Sequence, residues 1–120
     1  MMANYSIGSC YIIKQNAGAE SVGGVEVRIS PKHNDAGTIT VNRTDWRTGE
    51  VLADLEEQQV EEAILGVKSL ATEIEFPLDD FDITIQKFVS HSVDWNPRCV
   101  RQAGRSAFRA AVEGFQGRDL

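Results

Sequence analysis

Cysteine, histidine and long apolar runs are scarce in this chain, and each scarcity removes a class of function. The two cysteines, Cys10 and Cys99, stand at no metal-binding spacing and make no disulfide framework, so a reduced, cytoplasmic setting is expected. Cys99, just inside a helix start, reads as a small buried side chain before it reads as a reactive thiol. His33 and His91 lack a second ligand at helical or hairpin spacing, so no metal site is expected. No apolar stretch approaches the roughly 20 residues that a membrane span requires, and the opening MMANYSIGSC has neither the basic nor the apolar region of a secretory leader. A GxxxxGK[ST] loop is absent, so no nucleotide cofactor is expected. Basic charge is short as well. Twelve Lys and Arg face 18 Asp and Glu, and the net charge of −6 argues against general affinity for nucleic acid.

What is present suits one domain over residues 1–120, long enough to bury roughly 65% of its unfolded surface. Residues 5–15 read as a first strand, with Ile7, Tyr11 and Ile13 on one parity and Cys10 and Ile12 on the other. Both of its faces are expected to be at least partly covered, as for a strand inside a sheet. Residues 16–24 (NAGAESVGG) read as a glycine-rich turn. Val25, Val27 and Ile29 alternate with Glu26, Arg28 and Ser30 in a second, half-buried strand that Pro31 closes. Residues 38–42 make a third strand and 45–53 a loop. Asp54 is placed to cap a helix whose apolar face is Val60, Ala63, Ile64, Val67 and Leu70, with Glu57, Glu61 and Glu62 off that face. Phe81, Ile83 and Ile85 alternate with polar residues in a fourth strand. Asn96-Pro97 then starts a helix carrying the stripe Val100, Ala103, Ala107, Ala111 and Phe115, with its end expected near Gly114 or Gly117. The order β-β-β-α-β-α, with two one-sided helices, implies an α+β two-layer sandwich with both helices on one face of a four-stranded sheet.

The stretch 76–112 resembles the closing part of domain IV of translation elongation factor G. Phe76-Pro77, Asp80, Ile83, Ile85, His91, Val93-Asp94, Ala103 and Ala107-Phe108 fall on that family's positions without a gap. Upstream, Lys14-Gln15, the glycines that follow and the run 25–31 match at the same spacing, so the likeness covers about residues 5–112. The chain departs from the family at Lys87-Phe88, where the family has Asp-Gly, at Trp95-Asn96, where it has paired serines, and at Ala17, Ala19 and Glu20. The resemblance implies a ribosomal-protein-like fold with a left-handed βαβ crossover, standing without a GTPase domain. It also implies that segments 15–24 and 87–95 lie side by side at one end and together contact the ribosome.

His91 and Asp94 are three residues apart at a strand–helix junction, where a carboxylate can orient an imidazole. No nucleophile with an activating partner accompanies them, so no catalytic residue is assigned and the protein is not expected to be an enzyme. The expected function is contact with a ribosome or structured RNA through the two tip segments. The contact residues would be Lys14, Gln15, Gly18, Ser21, Lys87, His91, Asp94, Arg98, Arg101 and Arg105. The alternative is a protein–protein module, or a homo-oligomer, using the sheet face away from the helices, with Cys10 and Ile12 taken as signs that this face is covered. Arg98, Arg101, Arg105 and Arg109 recur at helical spacing. Phosphate contact is one reading of that stripe. Internal pairing with Glu57, Glu61 and Glu62 is the preferred one, because an acidic helix of matching length is present. Trp46 and Trp95 read as covers for an end of the core, and Gly66 and Gly104 as points of close packing against a neighbouring element.

Overall fold

A computed structural model of the protein describes residues 5–16, 19–32, 39–52, 55, 57–89 and 96–118, with side-chain surroundings left aside at 14–16, 19–21 and 116–118. Along the chain these form β1 (Ser6–Asn16), β2 (Ala19–Pro31), β3 (Ile39–Val41), α1 (Glu57–Glu73), a 3-10 turn at Leu78–Asp80, β4 (Phe81–Phe88) and α2 (Pro97–Arg118). The sheet runs β1-β2-β4-β3, with β1–β2 and β2–β4 antiparallel and β3–β4 parallel. The connection β3–α1–β4 therefore links neighbouring parallel strands. The expected α+β sandwich is what forms. Its core joins Val25, Val27 and Ile29 of β2 and Ile83, Ile85 and Phe88 of β4 to Val60, Ala63, Val67 and Leu70 of α1 and Val100, Ala103, Ala107, Phe108 and Ala111 of α2.

Two strand expectations are corrected. β1 lies at the edge of the sheet and not inside it. Its Ser6, Gly8, Cys10 and Ile12 parity faces α2, where a methyl group on Gly8 would collide with the carbonyl oxygen of Ala107. Cys10 and Ile12 are thus covered by the protein's own helix, and the parity left open is that of Ile7 and Ile13, which are 45% and 53% exposed. Asn16 and residues 19–24, read as part of a turn, are strand. β2 begins at Ala19, and the β1–β2 ladder continues outward through Lys14↔Ser21, Gln15↔Glu20 and Asn16↔Ala19. Gly23 and Gly24 sit in this strand because a Cβ at either would strike, respectively, the Cys99 backbone in the first turn of α2 and the Val89 side chain.

β4 begins with the expected alternation and then shifts. Val27 faces Ile85, but Glu26 faces Lys87 and Val25 faces Phe88, so Gln86 is an extra residue on β4. The bulge reverses the parity beyond it and turns Phe88 into the core, where it is fully buried. Lys87 therefore belongs to a strand and not to a tip. Both Gln86 and Lys87 reach the Glu26 carboxylate, the amide donating at 2.6 Å and the ammonium at 3.7 Å.

α1 ends in a hydrogen-bonded reversal. Phe76 N–H donates to Ala71 C=O at 2.8 Å, Glu75 N–H donates to Thr72 C=O at 3.3 Å, and Glu75 takes the left-handed φ of 56°. The non-glycine residue there costs about 1–2 kcal/mol. It is held by Phe76, whose ring packs 4.9 Å from Phe81 and 5.2 Å from Phe108. At the start of α2, Asn96 Oδ1 accepts from Arg98 N–H at 2.9 Å and Cys99 N–H at 3.4 Å, the cap read from Asn96-Pro97. Asp54 lies outside the described residues. α2 continues through Gly114 and Gly117 to Arg118, beyond its expected end. Among the described residues no helix is long and apolar enough to cross a membrane.

The two helices touch backbone to backbone. A Cβ at Gly66 would collide with the Arg101 carbonyl oxygen, and one at Gly104 would lie 2.7 Å from that of Ala63. Gly66→Ala should therefore lower stability by about 1–2 kcal/mol, overpacking outweighing the helix-propensity gain of about 1 kcal/mol. Chemical denaturation of the variant beside the parent measures this, and a variant as stable as the parent would refute the contact.

Candidate functional site

The end of the molecule beyond Val22 and Val89 is built by two backbone hydrogen bonds. Val89 N–H, leaving β4, donates to Gly24 C=O at 3.0 Å, and Asn96 N–H, entering α2, donates to Val22 C=O at 3.0 Å. The segment 90–95 thus departs and returns within two residues of one another on β2. The β1–β2 arm extends outward from the same place through its last three rungs. On the helix side, the buried Gln59 amide donates to Val89 C=O at 3.2 Å. On the open face, the 44–51 turn is pinned to β4 by Phe88 N–H donating to Thr44 C=O at 2.9 Å and Trp46 N–H donating to Phe88 C=O at 2.8 Å. Trp46 meets Tyr11 edge-on at 6.3 Å. It flanks the base of this apex on the sheet's open face.

The expected contact residues divide into three groups. Lys14, Gln15 and Ser21 have their backbones in the paired arm. Gly18, His91 and Asp94 lie outside the described residues, as does Trp95. Lys87, Arg98, Arg101 and Arg105 are placed in full, and Lys87 is withdrawn from the tip by the bulge. Among the described residues no group of His, Cys, Asp and Glu gathers as a metal site would. Cys10 has its thiol pKa raised by burial, which a hydrogen bond with Ser106 only partly offsets, so it stays protonated and is a poor nucleophile.

Arg101, Arg105 and Arg109 face α1 as expected, and of the three acids expected to meet the stripe Glu62 does so, whereas Glu57 does not. Arg101 Nε donates to Glu62 at 2.7 Å, and Glu62, expected off the packed face, is buried. Arg105 pairs with Glu73, and Arg109 reaches the same carboxylate at 3.6 Å. Glu57 pairs instead with Arg43 at 2.6 Å. The helices run parallel with Gly66 beside Arg101, so the acids that meet the arginines are those in register with that glycine. The spacing Glu62, Gly66, Ser69, Glu73 (4, 3, 4) was the sequence signal for this edge. The hydrogen bond from Arg105, and after it the charge of that guanidinium, lowers the Glu73 pKa, while the bond to Glu62 raises that of Arg101.

No family model matches the chain, and no curated protein matches it. The fold is shared with a crystal structure of a protein from Thermus thermophilus, with a TM-score of 0.67 and 22% identity over 92% of this chain and 16% of that one. At that identity the likeness shows the fold alone, and this chain spans about a sixth of its neighbour's length.

The lowered Glu73 pKa sets a pH dependence. A carboxylate depressed in the folded state stabilises above its unfolded pKa of about 4.3, and the contribution disappears as pH falls through the folded value. Thermal melts of Glu73→Gln should therefore lie below the parent at neutral pH and converge with it in the acid range. A gap that stays constant from neutral to acid pH would contradict the pairing.

Proposed function

We propose that the chain is a non-enzymatic contact domain of the kind found as domain IV of elongation factor G, engaging a ribosome or structured RNA through its apex. The observation that carries this reading is the pair of hydrogen bonds from Val89 and Asn96 to β2, which bring two remote parts of the chain to one end. On this reading the contacts are Lys14, Gln15, Gly18 and Ser21 from the stretch that joins β1 to β2, and His91 and Asp94 from the stretch that joins β4 to α2. Arg98 is exposed in the first turn of α2. The net charge of −6 makes contact by shape and a few directed groups the appropriate mode, in place of a broad basic surface. Co-sedimentation with ribosomes at graded salt tests it. Salt-dependent association is expected, and His91→Ala with Lys14→Ala should weaken it while leaving the melting temperature unchanged. Absence of association at low salt removes the proposal.

A second reading is favoured by the open sheet face, where Ile7 and Ile13 are exposed beside Tyr11 and Trp46 on an edge strand. Pairing of two copies through that face would cover them. Light scattering over a wide concentration range should then show a dimer that Ile13→Lys abolishes, whereas a strict monomer excludes this reading.

A further inference from the structure

A groove of about 360 Å³ opens on the outer side of the helix layer, lined by Ser69 of α1 and Arg98, Arg101, Gln102 and Arg105 of α2. We propose that this groove binds a phosphate-bearing small molecule, independently of the apex. Its volume falls within the range of small-ligand sites, about 300–1,000 Å³. Three of its five lining residues are guanidinium cations and none is a carboxylate.

The ion pairs that hold the stripe do not use up its donors. A guanidinium has five N–H groups. Arg101 donates through Nε to Glu62 and keeps both terminal amino groups. Arg105 donates through Nη2 to Glu73 and through Nη1 to Ser69 at 3.4 Å, and keeps Nε. Ser69 in turn donates to Gly66 C=O at 3.0 Å, so it serves as a fixed wall that anchors Arg105. Arg98 pairs with no carboxylate among the described residues, while its backbone is fixed by the Asn96 cap.

Glu62 and Glu73 thus act as orienting groups behind two cations, and Arg98, without a carboxylate partner among the described residues, supplies a further charge. The cost of ordering long side chains, which weakens most exposed arginine sites, is here already met for Arg101 and Arg105. A carboxylate ligand would satisfy one planar fork. Three guanidinium groups lining one groove suit the multiply charged oxygens of a phosphate.

Calorimetric titration and thermal melts of the full chain with pyrophosphate, at ionic strength held constant with chloride, test the site. Saturable binding with a rise in melting temperature is expected. Arg98→Gln, an exposed change that leaves the capped backbone intact, should weaken binding about tenfold. Arg28→Gln, on the opposite face of the sheet, should bind as the parent does. The proposal is overturned by the lack of a saturable response or by Arg98→Gln binding like the parent. Arginines serving only as internal pairs would give those results.

Discussion

α2 lies so near its neighbours that side chains are excluded from the contact, and most of the molecule follows from that. Its backbone passes over Gly8 at Ala107, over Gly23 at Cys99 and over Gly66 at Arg101, while its own Gly104 admits Ala63 of α1. Each is a place where a single methyl group would collide with main chain. Dense packing tolerates such errors poorly, so these four positions allow little freedom in how the helix can slide or rotate. The loss of helix propensity at Gly66 and Gly104 is offset by the close approach it permits.

The ion pairs between the helices are a consequence of this seating and not its cause. With Gly66 beside Arg101, Glu62 falls against Arg101 and Glu73 against Arg105 and Arg109, while Glu57 is carried away to Arg43. Pairs of this sort, with at least one partner open to solvent, are screened and contribute too little to set a helix crossing. What they do is orient. They fix guanidinium groups on the outer face of a protein whose overall charge is negative, concentrating positive charge where the acidic background would otherwise dilute it.

The sheet divides the remaining roles. The bulge at Gln86 sends Phe88 into the core and draws Gln86 and Lys87 onto Glu26, which closes the polar groups of the central strands upon themselves. Beyond the bulge, Val89 and Asn96 fasten to β2 within two residues of one another, at the root of the long β1–β2 arm. Helix seating, bulge and apex are therefore coupled: Gly23 lies next to both the Asn96 junction and the first turn of α2, so a shift of the helix would move the apex with it.

Periodicity alone placed every strand and helix in order, because alternation and the 3.6-residue repeat are local consequences of burying one face. The Asn96-Pro97 cap and the apolar faces of α1 and α2 were legible for the same reason. Sequence reading misjudged what depends on distant neighbours. Gly23 and Gly24 resembled turn residues, since composition cannot tell a bend from a strand pressed against a helix. Cys10 and Ile12 suggested a covered outer face, because parity shows that two faces exist without showing which one the helices take. Lys87 resembled a tip residue because a bulge arises between strands and leaves no mark in either one. The chain's own residues thus determined which segments bury which side. The side on which the helices settle, the acid that meets each arginine, and the two ends that converge were decided only when the glycines brought the backbones together, since those contacts join residues far apart in sequence.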